Sequence, residues 1–429
     1  MKQWMKKIKG ANVVILVFII ELLHFFFFRK NLGFILSPIL FLASGCFYYF
    51  YLSKRAELFY LEPVRERSYK ITGSHWRALG ILLFCIFIVV RSYIILWPID
   101  VKDSDIIPLI LNVYVDRFLG GEPVYAAYTG FNYGTFVPNY MPFQWLPFTL
   151  TRLLLIDPRF IHAIVFVIAM LALIVRSYKV STSIKELVAK SMLPFVFLGL
   201  IFFKQEKDFS VTVELVIAAY YILLALSFFS TSKIFQIVGL GLSLLSRYSL
   251  LFWMPVWALC KWLYNKKEFL FIGIGLLVFS IIFYLVPFVI PNPEVLSKGS
   301  NLWIDASLNE WDGQDWQGKG DKPFQLFQGL GFASWFHQFY PGTLMDKLLA
   351  CKNALIGCSI LSTLFLMYAR FKNSNLDQRI FLLLSFKFSM TIFYSLVFIP
   401  YVYLYWVPLA LSMVILVQLK WPPLTVLKK

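Results

Sequence analysis

The stretch LFIGIGLLVFSIIFYLVPFVI, residues 270–290, holds 21 consecutive residues without a formal charge. At 1.5 Å per residue a helix of that length spans about 30 Å, the thickness of a bilayer's hydrocarbon core. No soluble helix needs an apolar surface on every side over six turns, so this segment reads as a membrane span. Working outward, comparable runs occur at 11–28, 32–52, 78–97, 159–176, 211–229, 348–369, 380–398 and 401–418. Shorter runs at 191–203, 234–247 and 249–260 read as spans interrupted by functional turns. The expectation is an all-α, polytopic transmembrane helix bundle of about twelve spans. Composition agrees: 15% of residues are charged against about a quarter in soluble domains, and 19% are aromatic.

The net charge of +17 does not point to nucleic acid, because the basic residues sit in short loops between apolar runs. The apolar run 11–28 follows a basic start and no small-residue cleavage site, so it reads as a retained anchor. With the N-terminus inside, the inner segments hold 24 Lys and Arg against six acids. The outer segments hold 13 against 15. That asymmetry predicts a cytoplasmic N-terminus. It requires residues 141–155, with Pro142, Gln144, Pro147 and Arg152, to lie along the outer surface, and Asp157-Pro158 to open the next helix. The five cysteines lack metal or redox spacing and read as small core residues. The four histidines show no ligand pattern, which argues against zinc.

Two outer segments are too long to be plain connectors: 98–158 and 291–347. They divide the chain into 1–77 (a hairpin and cytoplasmic loop), 78–290 (a core with outer loop 98–158) and 291–429. The first loop carries Asp100, Lys102, Asp103 and Asp105 just beyond a span, where a carboxylate can take a proton from a docked hydroxyl. Asp103-Ser-Asp105 is also a common cation-binding spacing, but no metal is indicated. An amphipathic stretch Ile106–Leu119 follows, then Gly120-Gly-Glu-Pro-Val-Tyr125, then Asn139-Tyr140-Met-Pro142. Charges inside or beside spans are Glu21, Arg91, Lys387 and Glu214, the last able to turn back towards Lys207.

These segments, in this order, resemble the GT-C superfamily of integral-membrane glycosyltransferases. They are most similar to the family 87 polyprenyl-phosphate-mannose-dependent mannosyltransferases. The resemblance covers roughly residues 78–290 and runs through Asp105, Asp116–Leu119, Gly120–Tyr125 and Tyr140–Pro142. It continues through the outer turn Lys204-Gln205-Glu-Lys207-Asp208 and the glycine-rich run Gly239–Arg247. The chain departs from the family pattern at Lys204, where a glycine is usual, and at Arg247-Tyr248, where Lys-Pro is usual. The resemblance implies transfer of mannose or another hexose from a polyprenyl-phosphate donor to a glycan or glycolipid acceptor. The site would face the outside of a bacterial plasma membrane. Asp105 would be the general base with Asp103 second, Lys204, Lys207 and Arg247 would hold the donor phosphate with Lys102 and Arg152, and Gln205, Glu214 and Tyr140 would support them. Trp303, Trp311, Trp316 and Trp335 of the second loop would stack on acceptor sugars.

Elementary chemistry agrees in one respect. No cytoplasmic segment is long enough for a nucleotide-binding domain, so a transferase built this way would need a donor that arrives in the membrane, with interfacial cations for its leaving phosphate. A flippase or transporter of lipid-linked glycans would instead show two repeated halves and charges along a path. No repeat is visible. A polysaccharide polymerase or ligase is the nearer enzymatic alternative.

Overall fold

A computed structural model of the chain describes residues 10–62, 100–101, 106–131, 134–136, 138–293, 304, 307–313 and 322–421. The expected span 78–97 with Arg91, and the residues Lys102, Asp103, Asp105, Trp303 and Trp316, lie outside the described residues.

The described chain is almost wholly helical. The helices are α1 (Ala11–Leu23), α2 (Arg29–Leu52), α3 (106–119), α4 (142–154), α5 (Pro158–Val180), α6 (Ile184–Lys204), α7 (Glu206–Val211) and α8 (Glu214–Ser227). They continue as α9 (Lys233–Leu244), α10 (Met254–Tyr264), α11 (Lys266–Val289), α12 (Ala333–Phe339), α13 (Leu344–Lys372), α14 (Gln378–Ser395) and α15 (Trp406–Gln418). One short antiparallel hairpin, β1 (Tyr128–Phe131) with β2 (Gly134–Phe136), stands in the first long loop, where the Tyr/Gly-rich stretch between the two motifs predicts a turn. The segments Ala11–Leu52, Pro158–Val180, Ile184–Lys204, Lys266–Val289 and Leu344–Lys372 are long and apolar enough to cross a membrane.

The helical run 11–52 is not a single rod, which would separate Gly10 from Tyr51 by about 60 Å. Tyr51 Oη donates to Gly10 O at 3.4 Å, Tyr48 Oη donates to Glu21 Oε2 at 2.8 Å, and His24 Nε2 lies 2.7 Å from Ser37 Oγ. The pair therefore folds back as a hairpin, and Gly33, at φ 69°, supplies the turn that L side chains resist.

Capping residues fix where the other helices begin. Asp157 accepts from Arg159 N ahead of Pro158, Ser183 from Glu186 N, Ser232 from Phe235 N, Asn265 from Glu268 N, and Thr343 from Asp346 N in a reciprocal capping box. Helix α6 begins at Ile184, seven residues before the apolar run 191–203, and it is unbroken. Its first turns carry Glu186 and Lys190, which the sequence reading left in a loop. They pair at 2.9 Å, Lys190 Nζ donates to Val180 O, and Glu186 accepts from Thr182 N and Trp421 N. Internal pairing is what lets these charges be buried.

Helices α8 and α15 are buried along their whole length and form the centre with α14, while α11 and α13 turn apolar side chains such as Ile274 and Leu361 outward. An apolar exterior around a buried centre is the arrangement a lipid solvent demands. One continuous core draws on residues from Val14 to Leu419, so the N-terminal hairpin packs with the C-terminal helices. Among the described cysteines Cys260 and Cys351 are buried, Cys46 and Cys358 half-buried, and all four are free thiols.

The bundle has two ends. At one, the terminal end, Phe59 pairs with Leu419, Tyr60 N donates to Gln418 O at 2.8 Å, and Arg176 Nη2 donates to Gln418 Oε1 at 2.9 Å. At the other, the loop end, lie Arg29, Gln205, Arg247 and Trp406. The second long loop folds back over this end: Trp335 Nε1 donates to Phe34 O, Phe332 N to Ser395 O, and Trp311 Nε1 to Phe398 O.

Candidate functional site

The first long loop is locked by tyrosines. Tyr114, on α3, accepts at its hydroxyl from Asn139 N (2.9 Å) and Tyr140 N (3.0 Å), and its ring stacks on Tyr140 at 5.5 Å. Tyr125 closes the Gly120–Tyr125 turn by donating to Tyr140 O at 2.7 Å while accepting from Trp145 Nε1 at 3.3 Å. Tyr114 and Tyr125 are both buried, so each hydroxyl needs these partners. The two motifs singled out in the sequence, 120–125 and 139–142, are thus held against one another and open the surface helix α4.

That assembly docks on the turn between α9 and α10. Phe143 N donates to Leu245 O at 2.8 Å and Tyr248 Oη to Asn139 O at 3.4 Å. Arg247, in the same turn, donates from Nη2 to Glu214 Oε2 at 2.6 Å. Glu214 opens α8, is 1% exposed, and keeps a second buried oxygen, Oε1, with no hydrogen-bond partner. Arg247 Nε is likewise buried and unpartnered. Glu214 therefore pairs with Arg247, a partner from the neighbouring turn that the sequence did not indicate. Around the pair stand Tyr221, whose hydroxyl lies 2.7 Å from Ser249 Oγ, and Tyr394, 3.3 Å from the same oxygen.

The α6–α8 connection forms the adjoining wall. Gln205 Oε1 accepts from Trp406 Nε1 at 2.5 Å, which leaves Gln205 Nε2 buried without a partner. Lys204 Nζ sits 4.9 Å above the Phe27 ring. Asp208 lies among Arg29, Lys30 and Lys207. Burial pushes its carboxyl up to about 6 although all three cations pull it down.

Arg152 is placed differently from Lys204, Lys207 and Arg247. It grips Asp116 with two bonds, of 2.8 and 2.9 Å, and Asn112 with a third. It lines a cavity of about 670 Å³ with Asp100, Asn112, Ile156 and Pro158. Its charge is met by a carboxylate on α3, and the structure does not bring it onto the Lys204–Asp208 turn. Trp311, expected to stack on sugars, is fully buried and ties the second loop to Phe398; it packs a small satellite core with Leu326, Ala333, Leu348 and Cys351. Trp335 is half-buried and anchored to Phe34.

Four contributors were not singled out from sequence: Tyr114, Asp208, Arg29 and the Tyr394–Trp406 segment. Arg29 and Lys30 read only as outer-side charges, and Tyr401-Val-Tyr-Leu-Tyr-Trp406 is indistinguishable from an interfacial aromatic belt. Among the described residues no group of three or more His, Cys, Asp or Glu side chains could hold a metal ion. Comparison with protein-family models, with curated proteins and with solved structures found no match.

Proposed function

We propose that the chain is an integral-membrane glycosyltransferase, crossing the bacterial plasma membrane about twelve times with its N-terminus in the cytoplasm. It transfers mannose or another hexose from a polyprenyl-phosphate donor to a glycan or glycolipid acceptor at the outer face. One observation supports this reading most: the 120–125 and 139–142 motifs are interlocked through Tyr114 and Tyr125 and docked beside the buried Arg247–Glu214 pair. Segments that the resemblance lists in sequence order thereby meet at one end of the bundle, the end covered by the second long loop.

In the proposed reaction Asp105 takes the proton of the acceptor hydroxyl. The oxygen attacks the anomeric carbon, the bond from that carbon to the phosphate oxygen breaks, and polyprenyl phosphate leaves with both electrons. Lys204, Lys207 and Arg247 offset the charge that grows on the phosphate, an effect that is strongest at a low-dielectric membrane face. Asp105→Asn preserves shape but accepts no proton, so transfer of a labelled sugar in isolated membranes should fall about 10²–10⁴-fold at equal expression. Asp100→Asn should be nearly neutral. Near-normal turnover in both Asp105→Asn and Asp103→Asn would end the reading.

A further inference from the structure

The start of α2, just ahead of the hairpin's bend at Gly33, carries two cations, Arg29 and Lys30, that the proposed reaction leaves unused. Arg29 donates from Nη1 to Phe25 O at 3.0 Å, which anchors one edge of its guanidinium and leaves Nε buried without a partner. The second long loop fixes its place: Gly329, at φ 76°, runs so close to Arg29 O that any side chain there would collide with it. Lys30 is exposed beside it. Across a short gap, exposed Lys204 and Lys207 belong to the α6–α8 connection. Lys204 Nζ lies 4.9 Å from the ring of Phe27, two residues before Arg29, so the two segments meet although 173 residues lie between Lys30 and Lys204 in the chain, and the charges of Arg29, Lys30 and Lys207 all bear on Asp208. Among the described residues named here, four cations face Asp208 and Glu206, a formal surplus of two positive charges. Its rim is apolar, with Phe27, Phe28 and Phe203 exposed next to it. Cations of excess charge beside exposed aromatics at the end of a membrane bundle suit an anion carried on an acyl or prenyl chain.

We propose that Arg29 and Lys30, at the start of α2 in the N-terminal hairpin, join Lys204 and Lys207 in a binding site for the phosphate group of a lipid. The site deepens the glycosyltransferase reading by adding the hairpin to the donor's binding surface, and rests on that reading only for the lipid's role as substrate. The hairpin thereby acts as one jaw and the α6–α8 connection as the other, with Asp208 among the cations offsetting part of their mutual repulsion.

The test is binding, read without sugar transfer. Purified protein in dodecyl maltoside is titrated with dodecyl phosphate and the bound molecules are counted by native mass spectrometry; inorganic phosphate is titrated in parallel. Each lost charge-assisted contact should weaken dodecyl phosphate binding about tenfold or more in Arg29→Gln, Lys30→Gln and Lys207→Gln. Lys267→Gln, at the terminal end, should leave it unchanged. Asp208→Asn should tighten binding, an effect that a purely structural role for Asp208 would not produce. Lys30 is exposed, so Lys30→Gln keeps the test alive if Arg29→Gln fails to fold. Unchanged binding in Lys30→Gln, or loss in Lys207→Gln alone, would overturn the hairpin's part. Equal affinity for inorganic phosphate would overturn the lipid as ligand. Wild-type protein that binds neither would remove the site altogether, while sugar transfer and its dependence on Asp105 would remain separately measurable.

Discussion

Replacing Lys387 tests how the N-terminal hairpin is held. In the middle of the bundle Lys387 Nζ lies 3.0 Å from Glu21 Oε1 and donates to Pro408 O at 2.9 Å. Glu21 Oε2 accepts from Tyr48 (2.8 Å) and Ser412 (2.7 Å). Lys387 is 0% and Glu21 1% exposed, so neither charge has water to fall back on. Lys387→Met strands a carboxylate with only two hydroxyl donors, and Glu21→Gln leaves an ammonium with neutral carbonyl acceptors and no counter-charge. Breaking a buried pair from one side costs about 3–5 kcal/mol, whereas replacing both partners with groups of similar volume is close to neutral. The double variant should therefore recover most of the loss, giving a coupling of about 2–4 kcal/mol. At roughly 2 °C per kcal/mol each single variant melts about 6–10 °C early. Buried Cys260 and Cys351 provide the assay, since a thiol-reactive fluorophore lights up as the bundle opens in detergent. Additive losses in the double variant, or single losses below about 1 kcal/mol, would refute the claim that this pair pins the hairpin to α14 and α15.

Three further outcomes are expected. Reporter fusions after Lys267 and after Gly313 should report opposite sides of the membrane; two cytoplasmic signals would overturn the orientation and the site with it. Lys204→Gln, Lys207→Gln and Arg247→Gln should each raise the donor KM about 10–150-fold, and three unchanged values would return these residues to ordinary interfacial charges. Asp208 titrates near 6 in place of 3.8, so its folded form prefers the proton. Its contribution to stability is complete below about pH 4 and is lost as pH rises through 6, at most about 3 kcal/mol and less for a group at the membrane edge. Asp208→Asn should therefore melt later than the wild type at pH 7.5 and equally at pH 4; no difference at pH 7.5 would refute it.

What the sequence disclosed follows from which forces are local. Hydropathy marked the hairpin 11–52 and the helices over 159–176, 270–290 and 348–369, because each of these must face lipid along its own length. The surface helix over 142–154 was legible from its prolines and Arg152. Charge at 185–190 reads as a loop signal and puts the start of α6 too late, yet Glu186 and Lys190 satisfy each other inside the helix. The β1–β2 hairpin carried no alternating pattern strong enough to announce itself. In the candidate site the motif order was legible, but the residue that joins the motifs, Tyr114, was not, since one tyrosine on an amphipathic stretch looks like any other. Pairings at a distance, Glu21 with Lys387 across 366 positions and Arg247 with Glu214 across 33, have no sequence period to reveal them.

Two of the buried ion pairs, Glu21–Lys387 and Glu214–Arg247, differ in what surrounds them. Around Glu21 and Lys387 both carboxylate oxygens and the ammonium have partners, and the described residues next to them are packed core. Among the described residues this pair has every charged atom partnered, as a structural pin between helices requires. The Arg247–Glu214 pair is the opposite case. Glu214 Oε1 and Arg247 Nε stay unpartnered, with Gln205 Nε2 and Arg29 Nε at the same end of the bundle. Leaving a buried polar atom unpaired costs about 1–3 kcal/mol. Arg370 Nε and Gln418 Nε2 carry the same cost at the terminal end, so orphaned atoms alone do not mark the site. What distinguishes the loop end is that its orphaned atoms adjoin the interlocked motifs 120–125 and 139–142 and an excess of cations. Under the proposed function, the hydroxyls and phosphate of a lipid-linked sugar are the groups that would meet them.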